Sequence, residues 1–201
     1  KRLRALDAAH HLHPFTNHGE MKRQGSRVIT RGDGDYIWDS EDKKILDGMA
    51  GLWCVNMGYG RQELIDAATR QMNELPFYNT FFQTTHPPAV ELAALIASVT
   101  PEDLNHVFFA NSGSEAVDTV IRTVRQYWQI QGKPYKHILI SRDNAYHGST
   151  VGGGSLGGMS AMHKQGAPTL PGIEHIRQPY WSGESGDQSP DEFGRTCARA
   201  L

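Results

Sequence analysis

The stretch VFFANSGSEAVD, Val107–Asp118, decides how the rest of the chain reads. Val107-Phe108-Phe109-Ala110 is short, apolar and rich in β-branched and aromatic residues, which predicts a buried strand. Asn111-Ser112-Gly113 breaks that run, and an amphipathic helix is expected from about Ser114. Its apolar positions Val117, Val120, Ile121, Val124 and Trp128 recur three or four apart and share one face. Gly132 and Pro134 stop it. A strand that turns through small residues into a helix leaves backbone N–H groups free at the helix start, where the macrodipole adds partial positive charge. Such a turn is suited to holding a phosphate. Gly113 would let an anion approach the backbone closely, and the hydroxyls of Ser112 and Ser114 could add hydrogen bonds. Taken alone, the turn reads first as an ordinary serine-capped junction that binds nothing.

Composition narrows the choice of partners. The 201 residues carry 20 Lys+Arg against 22 Asp+Glu, a net charge of −2, which gives no electrostatic reason to expect nucleic acid or an anionic membrane. Hydrophobic residues make up 38%, enough for a real core. No run approaches the ~20 apolar residues that span a bilayer. Lys1-Arg2-Leu3-Arg4 is not followed by an apolar segment, so it does not read as a signal peptide. Cys54 and Cys197 lie far apart and are expected to be free thiols in a reducing compartment. The expectation is a cytoplasmic protein. Ser189-Pro190-Asp191-Glu192 is a capping box with proline at the first helical position. The helix it opens is short and needs more chain to pack on, so the sequence reads as the N-terminal part of something longer.

From the start of the chain, residues 1–19 predict a short helix and an extended lead-in. His10, His11 and His13 lack a spaced partner cluster and are expected to pack or face solvent rather than hold a metal. A β-meander follows, with strand pieces Arg27–Arg31, Tyr36–Trp38 and Lys44–Asp47. Its Gly32–Asp35 turn lacks the ligand spacing of a calcium loop. Gly48–Gly60, GMAGLWCVNMGYG, is too rich in glycine for a regular element and reads as a loop presenting bulky side chains. Arg61–Leu75 predicts a helix with Leu64, Ile65, Ala68, Met72 and Leu75 inward. Another opens at His86-Pro87-Pro88, with Val90, Leu92, Leu95 and Ile96 inward. Lys136–Ser141 reads as a second buried strand leading into Ala145-Tyr146-His147-Gly148. Gly152, Gly154 and Gly157 formally match G-x-G-x-x-G, but the strand ends too far upstream for dinucleotide binding. Residues 163–188 read as loop.

Strands alternating with helices imply an α/β fold with a largely parallel sheet, which binds ligands at the carboxyl ends of its strands. Ser112–Ser114 and Tyr146-His147 each follow a strand. One offers a phosphate cradle and the other an aromatic face, which together suit a planar phosphorylated cofactor.

Four motifs in order, HPFT (His13–Thr16), GLWCVNMGYG (Gly51–Gly60), NSGSEAVD (Asn111–Asp118) and AYHGST (Ala145–Thr150), resemble the class III aminotransferases, most closely the ω-transaminases. The resemblance extends over nearly the whole chain. It implies a fold type I α/β protein that binds pyridoxal 5'-phosphate, with a mainly parallel sheet flanked by helices and part of a small α+β domain. Residues 1–60 would be an N-terminal segment, partly of the small domain, and 61–201 the first part of the large cofactor-binding domain. Gly113 and Ser114, with Ser112 beside them, would bind the phosphate. Tyr146 would stack on the pyridine ring with His147 next to it. Phe15, Trp53 and Phe81 would line the substrate pocket, partly across a homodimer interface. From the residues alone, Trp53 reads equally as core.

The family's Schiff-base lysine, the aspartate that pairs with the ring nitrogen and the arginine for a substrate carboxylate all belong downstream of residue 201. This chain alone is therefore expected to be inactive, whereas the parent would transfer an amino group from an amine or ω-amino acid to pyruvate or another keto acid. Two further readings stay open. One is an aminomutase or decarboxylase on the same cofactor and fold, and the other a truncated, non-catalytic binding protein.

Overall fold

The computed structural model describes residues 1–166 and 169–201, and these divide into two compact units, Lys1–Val90 and Glu91–Leu201. In the first unit, α1 (Arg2–His10) leads to α2 (His18–Gln24), then to strands β1 (Ile29–Asp33), β2 (Tyr36–Asp39) and β3 (Lys44–Leu46). The strands form the expected antiparallel meander in the order β1-β2-β3. Asp39 closes its second turn, its Oδ1 accepting from the N–H groups of Glu41 at 2.9 Å and Lys43 at 3.1 Å. Helix α2 departs from the expected extended lead-in. Asn17 caps it by accepting from Glu20 N–H at 3.1 Å, a start signal that the sequence carries.

After β3 comes α3 (Ala50–Trp53), whose backbone is left-handed: φ is 47° at Ala50, 59° at Gly51, 61° at Leu52 and 65° at Trp53. Within the expected irregular loop Gly48–Gly60, Ala50–Trp53 thus forms a single left-handed turn. Helix α4 (Gln62–Glu74) matches its expected span, and α5 (Pro87–Val99) opens at the prolines. Their apolar faces do not turn inward as the periodicity implied. Leu64, Ile65 and Met72 of α4 and Val90, Leu92 and Leu95 of α5 are exposed, because nothing among the described residues covers them.

In the second unit, Val107–Ala110 forms no strand in the described residues. The run has strand composition, but a strand also needs a neighbour to take its backbone hydrogen bonds, and none pairs with it here. Helix α6 (Gly113–Ile130) follows where expected. Strand β4 (Leu139–Arg142) starts later than Lys136, and β5 (Ile173–Ile176) pairs with it in parallel, Leu139 opposite Ile173 and Arg142 opposite Ile176. Between them lie α7 (Val151–Leu156) and α8 (Ser160–His163), so this is a β-α-β crossover. The stretch read as loop, 163–188, therefore holds β5 and the short α9 (Trp181–Glu184); its residues 167 and 168 lie outside the described residues.

Helix α10 (Pro190–Ala198) begins at the expected capping box. Glu192 Oε2 accepts from Ser189 N–H at 2.9 Å, and Ser189 Oγ accepts from Glu192 N–H at 3.4 Å. It buries Phe193 and Cys197. With Ile121 and Ile173, these make up the buried apolar residues among those described. Arg125 of α6 ties that helix to the strands by donating to His137 O at 3.3 Å and Pro171 O at 2.9 Å. Cys54 and Cys197 are both free. Among the described residues no helix is long and apolar enough to cross a membrane.

Candidate active site

The start of α6 and the loop after β4 are fastened to each other. Ser112 is the N-cap, its Oγ accepting from Glu115 N–H at 3.2 Å. Glu115 folds back so that Oε2 accepts from Asn111 N–H at 3.0 Å, which keeps its carboxylate engaged with the residue before the cap. The N–H groups of Gly113 and Ser114 have no intrahelical acceptor by position. A Cβ built on Gly113 would meet nothing within 4 Å, so the space beside this turn is open. Ser114 Oγ accepts from Ser149 N–H at 3.0 Å, and its own proton remains free to donate.

One turn further along the same face, Asp118 Oδ1 accepts from Thr150 Oγ at 2.8 Å and from Gly153 N–H at 3.1 Å. Asp118 is a docking residue that the sequence reading missed. Its signal was the i, i+4 spacing from Ser114, which puts both on one helix face. Gly148 lies where the contact is tightest. Its φ is +126°, and a Cβ there would sit 2.8 Å from Ser114 Cα and 2.7 Å from Ser114 Oγ.

The glycine run Gly152–Gly158 forms most of α7 and its exit. Thr150 caps it by accepting from Gly153 N–H. These glycines make room for backbone. A Cβ on Gly153 would lie 2.8 Å from His147 O, and one on Gly158 would lie 2.7 Å from Asp143 Cα. Asn144 N–H donates to Gly158 O and Gly158 N–H to Ala145 O, both at 3.0 Å. The carbonyls of Gly154 and Gly157 accept from His163 Nε2, at 3.1 and 2.7 Å, and a carbonyl partner requires that nitrogen to carry the proton. The segment carrying Tyr146 and His147 is thus held from two sides. Tyr146 itself is 55% exposed, and His147 is half-buried.

Phe15, Trp53 and Phe81 all fall in the first unit and all project into solvent, with 68%, 78% and 69% of their surface exposed. Trp53 is therefore not a core residue of this unit. Each lies in or beside left-handed backbone: φ is 47° at Phe15 and 65° at Trp53, and Phe81 opens a turn through Phe82 and Gln83 at 56° and 65°. Phe15 is preceded by a small polar cluster. Asp7 Oδ1 bonds to His11 Nδ1 at 2.9 Å and to His13 Nε2 at 2.8 Å. The Ser26 hydroxyl and these two imidazoles hold the Asp7 carboxyl down to about 2. These bonds join the end of α1 to the segment that follows it, and they give His11 and His13 in Asp7 the clustered partner that the sequence reading did not find.

The start of helix α6 and the loop carrying Tyr146 after the parallel strand β4 are thus one fastened assembly. The chain belongs to the class-III aminotransferases, whose family it matches over residues 18–199. It is 64% identical over 197 residues to a putrescine–pyruvate aminotransferase of Pseudomonas aeruginosa, covering 98% of this chain and 43% of that protein. Its structure is similar to part of an (S)-enantioselective ω-transaminase from Thermomicrobium roseum, at a TM-score of 0.96 and 41% identity, covering 100% of this chain and 45% of that one. It equally matches an ω-transaminase from Pseudomonas jessenii in complex with PMP, at a TM-score of 0.96 and 38% identity, covering 99% of this chain and 44% of that one. The chain thus spans less than half the length of the relatives it matches. These neighbours bear out the fold type I α/β expectation, and the family is pyridoxal-phosphate-dependent.

The residues present fit that cofactor. The cradle has open space, first-turn N–H groups without an intrahelical acceptor and a serine proton to offer a phosphate, and the Tyr146 ring on the fastened loop is exposed. In the parent protein Ser114→Ala should weaken cofactor retention by roughly 1.5–3 kcal/mol, the worth of a hydrogen bond to a charged group. Equilibrium dialysis followed by cofactor absorbance measures this. Unchanged affinity would remove the serine from the site.

Proposed function

We propose that this chain is the N-terminal part of an amine:pyruvate aminotransferase in which Ser112, Gly113 and Ser114 hold the pyridoxal 5'-phosphate phosphate and Tyr146 covers its ring beside His147. The observation that carries this reading is the Ser114 Oγ to Ser149 N–H bond, which couples the anion cradle to the loop bearing the aromatic. Bound cofactor supplies the electron sink and the carrier for the transferred amino group. The chain's own residues have other tasks. The N–H groups of Gly113 and Ser114 fix the phosphate and with it the register of the ring. Asp118 keeps the Tyr146 segment docked, and the tyrosine ring limits water on one face.

Phe15, Trp53 and Phe81 would line the amine pocket. Their exposure and the left-handed backbone around them support this, since strained conformations persist where function requires a particular placement. The uncovered faces of α4 and α5 and the unpaired Val107–Ala110 segment are consistent with residues 61–201 being the first part of a larger domain, and with a homodimer. A cytoplasmic location fits the free thiols.

The test is to mix the parent protein with putrescine and pyruvate and follow both. Pyruvate converted to alanine as the diamine is consumed would support transamination. No alanine from putrescine and pyruvate, together with CO2 release from an amino acid or its isomerisation with the nitrogen retained, would favour a decarboxylase or an aminomutase. Within the site, Tyr146→Phe should keep near-normal cofactor affinity, while Tyr146→Ala should lose about 0.5–1.5 kcal/mol and shift the cofactor's absorbance. A large loss in the phenylalanine variant would show that the hydroxyl matters more than the ring.

A further inference from the structure

The loop that carries Trp53 is closed at its base by one side-chain pair. Asp47, just after β3, and Tyr59 are 12 residues apart, and Tyr59 Oη donates to Asp47 Oδ2 at 2.7 Å. The same Oδ2 accepts from Gly51 N–H at 2.8 Å, and Oδ1 accepts from Met49 N–H at 3.2 Å. One carboxylate therefore holds both the opening of the left-handed turn and the far end of the loop. The hydrogen bond from Tyr59 and the N–H of Gly51 hold the Asp47 carboxyl below its ordinary range, and the same carboxylate pushes the Tyr59 hydroxyl up.

Tyr59 is itself anchored. It exchanges backbone bonds with Gly34 in the β1–β2 turn, Tyr59 N–H to Gly34 O at 2.8 Å and Gly34 N–H to Tyr59 O at 3.2 Å. Its ring lies so close to Gly32 that a Cβ there would be 2.7 Å from it. Gly51 is enclosed in turn, since a Cβ there would stand 3.2 Å from Tyr59 Oη and 2.8 Å from Val55 Cγ2. The anchored end of the loop is thus rigid, the middle is clamped to it, and Leu52 and Trp53 are the part left projecting, 62% and 78% exposed. A left-handed run at Ala50, Leu52 and Trp53 is unfavourable for residues with a Cβ, so it persists because these bonds over-determine it.

We propose that Asp47 and Tyr59 are positioning residues that set where the Trp53 indole stands, and so set the size limit on the amine donor. The second half rests on the reading of Trp53 as a pocket residue. Without the Tyr59 hydroxyl the turn is free to relax toward right-handed backbone, and the indole leaves its place.

The experiment uses the full-length parent protein labelled with 5-fluorotryptophan, with the Trp53 19F resonance assigned through Trp53→Phe. It compares Tyr59→Phe, Asp47→Asn, Trp53→Ala and the double variant Trp53→Ala/Tyr59→Phe, with kcat/KM measured for a small and a bulky amine. Tyr59→Phe should move the Trp53 resonance and shift the donor ratio toward the bulky amine by about threefold to tenfold, the reach of one hydrogen bond. Asp47→Asn sets an NH2 group where a carboxylate oxygen accepted from Met49 N–H or from Tyr59 and Gly51, and it should move the Trp53 resonance and the donor ratio in the same direction as Tyr59→Phe. In the Trp53→Ala background Tyr59→Phe should add no further shift in ratio. An unmoved resonance in Tyr59→Phe, or an undiminished shift in the double variant, would overturn the positioning role. A moved resonance with the donor ratio unchanged in both Tyr59→Phe and Trp53→Ala would overturn the pocket reading and the size limit with it.

Discussion

Gly148→Val in the parent protein is expected to lower the melting temperature and strip the cofactor together. The reason is local and steric. Gly148 is buried at φ +126°, and its α-carbon faces the backbone of Ser114 so closely that a single added carbon would stand 2.8 Å from Ser114 Cα. A branched side chain meets two penalties there, left-handed backbone and overpacking, each about 1–3 kcal/mol. The loop must then lift from α6. That breaks the Ser149 N–H to Ser114 Oγ bond and strains the Thr150 and Gly153 bonds to Asp118.

Gly113→Val is the matched comparison, because nothing lies within 4 Å of a Cβ at Gly113. It should leave the melt of the cofactor-free protein nearly unchanged while weakening cofactor binding, since the added methyls point into space the phosphate would use. Thermal melts with and without cofactor separate the two variants. Equal melts for Gly148→Val and the parent would refute the docking of the two loops.

Trp53→Ala should do the reverse, changing selectivity with little change in stability. An indole with 78% of its surface exposed has little burial to lose, so the stability change should stay near the ±0.5 kcal/mol typical of surface substitutions. The donor ratio should move toward bulky amines by roughly tenfold or more, because each methylene-sized change in a pocket is worth about 1–3 kcal/mol. A thermal melt beside kcat/KM for a small and a bulky donor measures both. A collapsed melt with an unchanged ratio would mean that the indole packs as structure in the assembled protein.

The sequence conveyed the fold where local chemistry was enough. The serine cap and three-to-four spacing located α6, and Ser189 with Glu192 located α10, because caps and helix faces are set by residues a turn apart. It failed where the deciding partner was distant. Val107–Ala110 has strand composition, yet pairing is a property of two segments. The glycines of 152–158 offered only a formal G-x-G-x-x-G match, whereas Gly152, Gly153 and Gly158 are small because Asp118, His147 and Asp143 press against them. Strand β5, Ile-Glu-His-Ile, is four residues long and sits among loop-forming glycines and prolines, so its signal was lost until β4 gave it a register. For the candidate site, Ser112–Ser114 and Tyr146-His147 were singled out because each was read as following a strand, and the family resemblance then supplied the roles proposed for them. Asp118 was one helical turn away from discovery. The Asp47–Tyr59 clamp joins residues 12 apart across a glycine-rich loop, a distance over which sequence spacing says nothing about contact.

The central claim is that the turn at Gly113 and Ser114 binds the cofactor phosphate and the docked loop sets Tyr146 against the ring. A crystal structure of the cofactor-loaded parent protein tests it most directly. The account predicts phosphate oxygens about 2.7–3.2 Å from the N–H groups of Gly113 and Ser114 and from Ser114 Oγ, with the Tyr146 ring stacked on the pyridine. A phosphate anchored elsewhere, with this turn left facing water, would contradict it.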